Sequence, residues 1–585
     1  MRMWKASMLL AALFWVATAG TVAAPKAPVA SGASVADAAM GGDVVTLRAL
    51  LEQGSDVNAR FGDGMTGLHW AARKGNAAIA EVLIGAGADL EATTRIGAHT
   101  PLHVASAAGR ASVVKGLLLA GANANAITTT GATPLHFAAA SGSALAVAAL
   151  VEHGAKVNAA EPHWGQTALM FAAAAGRTEV VEVLLEGEAD PSIAAKVVDL
   201  VERNEYDQSE RRERNKRIAK LRAAAMKNAP IDSNTPGETE TEPEDRDEAL
   251  RRGGEPVPLD YAALIATHGG LTPLLLAARE GHVGTALALI KGTADINQVS
   301  AADNTSPMLI AMFNGHFDLA MQLFERGADP SVASDAGATP LYAALNMHWA
   351  PKARHPQPVA YMQQELTYLE VMETLLKAGV DPNVRLKKTL WYTTYNRDLL
   401  GVNRAGATPF WRAAHALDID AMRLLLAHGA DPNMPTLKIP ERKRRDGDNT
   451  DHSGLPPVPM GGPAVYPIHA ASGVGHGQGF AGNSHRHVPD GWLPAVKFLV
   501  EELGAEVNVR DYKGYNTVHH AAARGDNELI QYLVSKGADV TFVSRKGQTT
   551  ADMANGPVQR VQPYPETVAL LESLGATNNH KCVSC

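Results

Sequence analysis

Cysteine is almost missing from this chain: two in 585 residues, both among the last four. A disulfide framework therefore cannot hold the body together. Aromatic residues make up only 5% of the sequence, too few for a core built on large rings. The formal net charge of -8 is small for this length and excludes a global attraction to nucleic acid or anionic membrane. Familiar catalytic patterns are absent as well: there is no Walker loop, no G-x-S-x-G elbow, no H-E-x-x-H and no Rossmann fingerprint after a strand. Outside the regularities described below, no segment is long and apolar enough to make a catalytic domain.

One long apolar run does occur, at the N-terminus. Arg2 and Lys5 precede "ASMLLAALFWVATAGTVA", which ends in small residues. This is the pattern of a secretory signal peptide over residues 1–24, cut after Ala23 or Ala24; an uncleaved anchor is the alternative. No cysteine follows the run to carry a bacterial lipid anchor. The expectation is an exported protein, periplasmic with secretion as the alternative, without stable membrane insertion once the leader is removed.

What the chain has in plenty is alanine and glycine, and they recur in register. Thr66-Gly67-Leu68-His69, Thr100-Pro101-Leu102-His103, Thr133-Pro134-Leu135-His136 and Thr167-Ala168-Leu169-Met170 start 34, 33 and 34 residues apart. The register returns at Thr272, Ser306 and Thr339, and more loosely at Thr408, Tyr466, Thr517 and Thr549. Each unit reads as two short helices. Thr supplies the N-cap, Pro sits at the first helical position, and Leu with two alanines makes an apolar stripe. Glycines such as Gly75, Gly109, Gly142 and Gly176 close the first helix, and a G-A-D or G-A-N turn closes the second. Neither helix can bury its stripe alone, so the units must stack.

This pattern resembles the ankyrin repeat, whose 33-residue period and T-P-L-H-x-A signature are matched about eleven times across Ser34–Thr577. The resemblance implies an all-α solenoid of stacked helix-turn-helix units with hairpin-like loops, in two blocks, 34–197 and 269–577. It also implies that the first-helix histidine bonds near its own helix start and towards the next repeat. His69, His103, His136 and the aligned His469 are then framework, and the apolar residues in their place at Met170, Leu275, Leu309, Tyr342 and Trp411 adjust packing. In the family, hairpin tips and first helices line a groove that grips partner proteins. The corresponding tip residues here include Thr94, Arg95, Thr129, His163, Trp164, Asp335, Asp511 and Tyr512.

Interruptions carry what is individual to this chain. Residues 198–268 hold a charged stretch with helical potential, "ERRERNKRIAKLRAAAMK", then the acidic "NTPGETETEPEDRDE", expected to be a disordered linker between the blocks or an acidic tether for a basic partner. The second block has insertions at 346–367, 384–405, 434–462 and 473–492. Those at 384–405 and 434–462 replace equivalent loops of consecutive repeats and should meet on one edge. Arg385, Lys387, Lys388, Trp391, Tyr392 and Tyr395 in the first make good interface material, unless the rings pack back on the stack. The insertion at 473–492 carries His476, His485 and His487, without the fixed spacing of a metal site; a solvated loop is expected, with Zn or Cu binding as the alternative.

The tail at 578–585 ends in "HKCVSC". Cys582 and Cys585 form a disulfide or a redox-sensitive thiol pair in an oxidising compartment; metal binding and haem attachment are further readings. The sequence therefore points to a non-enzymatic, monomeric scaffold that binds a protein partner, with no cofactor, no metal and no nucleic acid. A redox, metal- or haem-handling accessory protein that uses the C-x-x-C tail is the alternative.

Overall fold

The computed structural model describes residues 34–227, 258–350, 359–390, 400–441, 450–478, 485–558, 561–580 and 583. The leader, Trp391, Tyr392, Tyr395, the acidic run and both cysteines lie outside the described residues. The chain forms two compact units, up to Asn123 and from Ala124 onward. Among the described residues the first holds three helix pairs and the second nine, each an ankyrin-type helix-turn-helix.

The local rules at each helix start are met by named atoms. In the second unit Thr133 caps Pro134–Ser141, and Gly142 ends it in the left-handed region at φ 87°. The His136 ring closes the cap: its Nδ1 accepts from Thr133 N–H at 3.1 Å, while Nε2 donates to the carbonyl of Gln166 in the next repeat at 3.0 Å. His69 does the same in the first unit, from Thr66 N–H to the His99 carbonyl. His103 accepts from Thr100 N–H, and His469 joins Tyr466 N–H to the Val509 carbonyl. The unit read from Thr517 in fact starts one residue earlier. Asn516 is its N-cap and His519 accepts from Asn516 N–H, because Asn can cap where the pattern has Thr.

Two further ladders stitch neighbouring repeats. At the close of several second helices an asparagine staples the following turn. Asn158 Oδ1 accepts from Asp190 N–H at 2.8 Å and its Nδ2 donates to Glu188 O; Asn297, Asn383 and Asn508 act alike on Asp329, Asp431 and Asp539. At six junctions of the second unit a backbone bond crosses between hairpin tips: Ala301 to Gly270, Asp335 to Asp303, Lys387 to Ala336, Leu437 to Ala405, Tyr512 to Ala464 and Arg545 to Lys513, all between 2.8 and 3.2 Å. The approach is close. In the first unit a Cβ on Gly64 would stand 2.7 Å from the Arg95 nitrogen, and Gly64 holds φ at 86°, so glycine is required there.

Residues 198–268 do not part the stack. The helix Thr178–Glu186 packs directly on Val283–Lys291, and Thr178 and Thr285 share a hydrogen bond of 2.9 Å between hydroxyls. The chain leaves and returns through a short antiparallel ribbon, β1 (Val197–Asp199) on β2 (Thr267–Gly269). The excursion is thus an elongated hairpin tip. Its helix, Leu200–Lys227, packs near its start on Tyr261–Ile265 and is otherwise exposed along its described side chains.

Candidate functional site

The groove-facing position is the residue after the histidine position of each first helix. Trp70 and Val104 in the first unit are half-exposed there, and so are Phe137, Phe171 and Ile310 in the second, whereas Leu276 between the last two is 1% exposed. Farther along the second unit the same position is shut: Ala343, Arg412, Ala470 and His520 are at most 1% exposed. The insertions pack into this end of the unit. Leu386, Leu390, Leu400 and Val402, all from 384–405 and all buried, join Tyr342, Trp411 and Val474 in one hydrophobic cluster. A Cβ on Gly475 would stand 2.6 Å from Val402, so the insertion at 473–492 seals the same corner.

The two tip insertions meet, as equivalent loops of stacked repeats must. Asn403 donates to the Leu437 carbonyl at 2.9 Å, and Arg385 Nη1 donates to the Pro435 carbonyl at 2.8 Å. Tyr512 Oη donates to Glu441 at 2.6 Å, which with burial raises its pKa. Arg545 binds Asp451 and donates to the carbonyls of Leu455 and Pro456 at 3.2 and 2.6 Å. Two residues expected to face a partner, Arg385 and Tyr512, therefore hold insertions to the stack. Lys387 is exposed, Lys388 is half-buried, and Trp164 is half-exposed at its tip, with its N–H held by buried Glu161. Thr129, His163 and Asp335 are exposed at tips. Asp511 is not available: it is 2% exposed, accepts from Lys513 and Tyr515 N–H, and lies 3.4 Å from the buried His520 ring.

The insertions between helices close over the repeat that separates them. Asp418 Oδ2 accepts from both Trp349 Nε1 and Tyr368 Oη, each at 2.7 Å, and its other oxygen caps Ile419–Ala427. His348 stacks on Tyr368 with ring centroids 4.0 Å apart, and burial with nearby Arg486 lowers its pKa to about 4. Arg486 donates to Tyr361 Oη at 2.7 Å, which joins the insertion at 473–492 to that at 346–367. The histidine-bearing loop expected to be solvated folds back instead. His485 packs on His415 at 4.3 Å and near Trp492 at 6.1 Å, and His487 lies 4.8 Å from Trp492. Among the described residues no group of three or more His, Cys, Asp or Glu is placed to hold a metal ion, and no helix is long and apolar enough to cross a membrane. Sequence reasoning missed Asp418, Trp349 and Tyr368; an acid at an N-cap with an aromatic pair some seventy and fifty residues upstream leaves no periodic signal.

Comparison with known proteins agrees with the repeat geometry. The family "Ankyrin repeats (3 copies)" matches residues 35–128 and 102–195, "Ankyrin repeats (many copies)" matches 484–534, and "Ankyrin repeat" matches 269–301 and 405–437. Ankyrin repeat and SAM domain-containing protein 6 of Rattus norvegicus is 35% identical over 85 residues, 14% of this chain and 9% of that protein. Protein phosphatase 1 regulatory subunit 12A of Mus musculus is 32% identical over 84 residues, 14% of this chain and 8% of its own length. Protein phosphatase 1 regulatory subunit 27 of Homo sapiens is 35% identical over 69 residues, 12% of this chain and 44% of that protein. The likeness thus covers under half of each relative.

Proposed function

Because the chain belongs to the ankyrin-repeat family, we propose that it is a non-catalytic scaffold that grips a protein partner, exported from the cytosol by its leader. The observation that carries this reading is the change in exposure along the groove. Phe137 and Phe171, one repeat apart, and Ile310 beyond the buried Leu276 offer half-exposed apolar surface, whereas from Ala343 onward the corresponding residues are buried and the chain's own insertions pack beside them. Partner contact is therefore assigned to the repeats before Thr339, with the tips Thr129, His163 and Trp164 beside it. Rigid aromatic anchors in such a row give most of the energy of an interface. Two of the relatives are by name regulatory subunits of a phosphatase, which favours a protein partner here without saying which one.

Affinity capture from a native envelope extract, with the chain without residues 1–24 as bait, tests the assignment. Phe137→Ser with Phe171→Ser should cut recovery of a saturable partner at least about tenfold, since each buried anchor is worth about 1–2 kcal/mol or more. Lys387→Ser should leave recovery unchanged. Equal recovery with the double variant would overturn the location, and no saturable partner at all would overturn the scaffold reading.

A further inference from the structure

Like charges three or four residues apart on a helix repel, and each such pair weakens it. The helix Leu200–Lys227 breaks that rule in its second half. Its first part is acidic, with Glu202, Glu205, Asp207 and Glu210. Residues 211–222 hold seven arginines and lysines against one acid, Glu213. Arg211, Arg214, Arg217 and Lys220 follow one another at intervals of three, and Arg212, Lys216 and Lys220 at intervals of four. The helix dipole does not account for the excess. Its effect is confined to the last turn, and the basic run starts at Arg211, about four turns before Lys227.

Neighbouring groups do not balance it either. Glu213 bonds Lys216 at 3.1 Å, while Arg211, Arg214, Arg217, Lys220 and Arg222 are exposed and form no ion pair with any described residue. At 3.6 residues per turn, Arg211, Arg214, Arg217 and Arg222 fall within about 140° of the helix circumference. The apolar surface among them is small, Ile218 and Leu221, so charge and not burial must recruit whatever covers this side. Matching counter-charge lies a few residues on. Residues 238–248, outside the described residues, hold seven acids against one arginine, the reverse of 211–222. The path of the chain favours their meeting. The 28-residue helix is about 40 Å long, and Tyr261–Ile265 packs near its start. Residues 228–257 must therefore come back over the same distance, well within the roughly 100 Å that such a segment can span. The acids stand in the middle of that return.

We propose that the arginine side of residues 211–222 is a docking surface for the chain's own acidic run, 238–248, which covers it in cis. Each arginine donates to a carboxylate oxygen, a charge-assisted bond that the planar guanidinium can make in pairs. Exposed ion pairs are weak one by one. A row of them on a tether gains from the effective concentration that the tether sets. The excursion is then a self-covered arm, closed to other polyanions that do not outcompete its own acids.

Carbodiimide condensation of the chain without residues 1–24, read by mass spectrometry, tests this, because it joins lysine amines to carboxylates in contact with them. The monomeric product should carry links from Lys216 or Lys220 to acids of 238–248. Their yield at about 50 mM sodium chloride should fall at least about fivefold at about 0.5 M, where screening is short-ranged. At the lower salt, Arg211→Gln, Arg214→Gln, Arg217→Gln and Arg222→Gln together should lower the yield by a similar factor, with both lysines kept as reporters. No link in the unaltered chain would overturn the proposal. A yield unchanged by salt or by the arginine variant would equally overturn it, as the chance collisions of a tether. Links found only in a covalent dimer would do so too, and would make a second copy the occupant.

Discussion

At the scale of single residues, the repeated histidine is a neutral double connector. Nδ1 of His136 faces an N–H and Nε2 faces a carbonyl, so the only tautomer that satisfies both carries its proton on Nε2. This much was legible from recurrence, since a reaction centre is not copied into every turn of a stack while a bridging group is. His136→Ala strands a buried N–H and a half-buried carbonyl and should cost about 2–4 kcal/mol. His136→Met should cost less than His136→Ala, because Met170 already fills the same place one repeat on. Chemical denaturation of the two variants checks both the sign and the order. A protonated imidazole would oppose Thr133 N–H, which gives the fold a pH limit. Burial, with His520 next, lowers the pKa of His469 to about 4 and that of His519 to about 3. The unfolded chain takes up these protons near pH 6.5 and the folded chain does not. The stabilisation is therefore complete above that value and lost as pH falls through 6.5 towards about 4 and about 3. By pH 4.5 each ring should have removed about 2–3 kcal/mol, a large share of a domain's stability. Melting temperatures within 2 °C of each other at pH 7.5 and 4.5 would contradict this. His519 itself was hidden by one residue of register: Thr517 resembles a cap more than Asn516 does, although Asn516 carries the cap.

At the scale of elements, helix pairs and their order followed from the 33- and 34-residue spacing, since cap, proline and alanine stripe repeat together. The insertions were legible as breaks but not as shapes, because their contacts join residues dozens of positions apart. The excursion at 198–268 shows the difference. Its composition suggests a linker, yet β1 pairs with β2 through Val197 opposite Gly269, and the flanking helices touch without it. Replacing residues 199–267 with a two-residue Asn-Gly turn should leave the melting temperature within about 4 °C, the equivalent of roughly 1 kcal/mol. Loss of cooperative unfolding in that variant would show that the excursion does bear on the stack. The insertion at 434–462 makes the opposite case, since it is clamped by Arg545 on a tip two repeats later. Arg545→Ala should raise amide exchange at His452, whose N–H donates to the Arg545 carbonyl, and through residues 451–456, with little change in global melting. Unaltered exchange there would mean that the clamp is not what holds the loop.

For the whole molecule, ordinary stacks couple only nearest neighbours, so that stability is close to a sum over repeats and junctions. The second unit departs from that rule between Thr339 and Thr549. Arg486 with Tyr361, and Arg545 with Asp451, join elements separated by a full repeat or more. Charge and composition gave no hint of this, being averages over residues that act in particular pairs. They did bear on destination, through the basic start and apolar run before Ala24. We expect the chain expressed with its leader to reach the periplasm of a bacterial host with Ala24 or Pro25 as its new N-terminus, and to stay in the cytosol without residues 1–24. N-terminal sequencing of the fractionated protein decides it; an intact Met1 in the membrane fraction would favour an anchor instead.

The N–H···O bonds that cross between hairpin tips of the second unit imply a mechanical behaviour. A partner that prises two neighbouring repeats apart at that edge strains one short bond per junction, in sequence and not all together. The edge should therefore yield in small steps under tension and recover each when released. Where insertions lash several tips to one another, from Ala336 to Arg545, those steps merge and the edge stiffens. A compliant stretch and a braced one in the same chain would let it bend to fit a partner at one place while keeping its form at another.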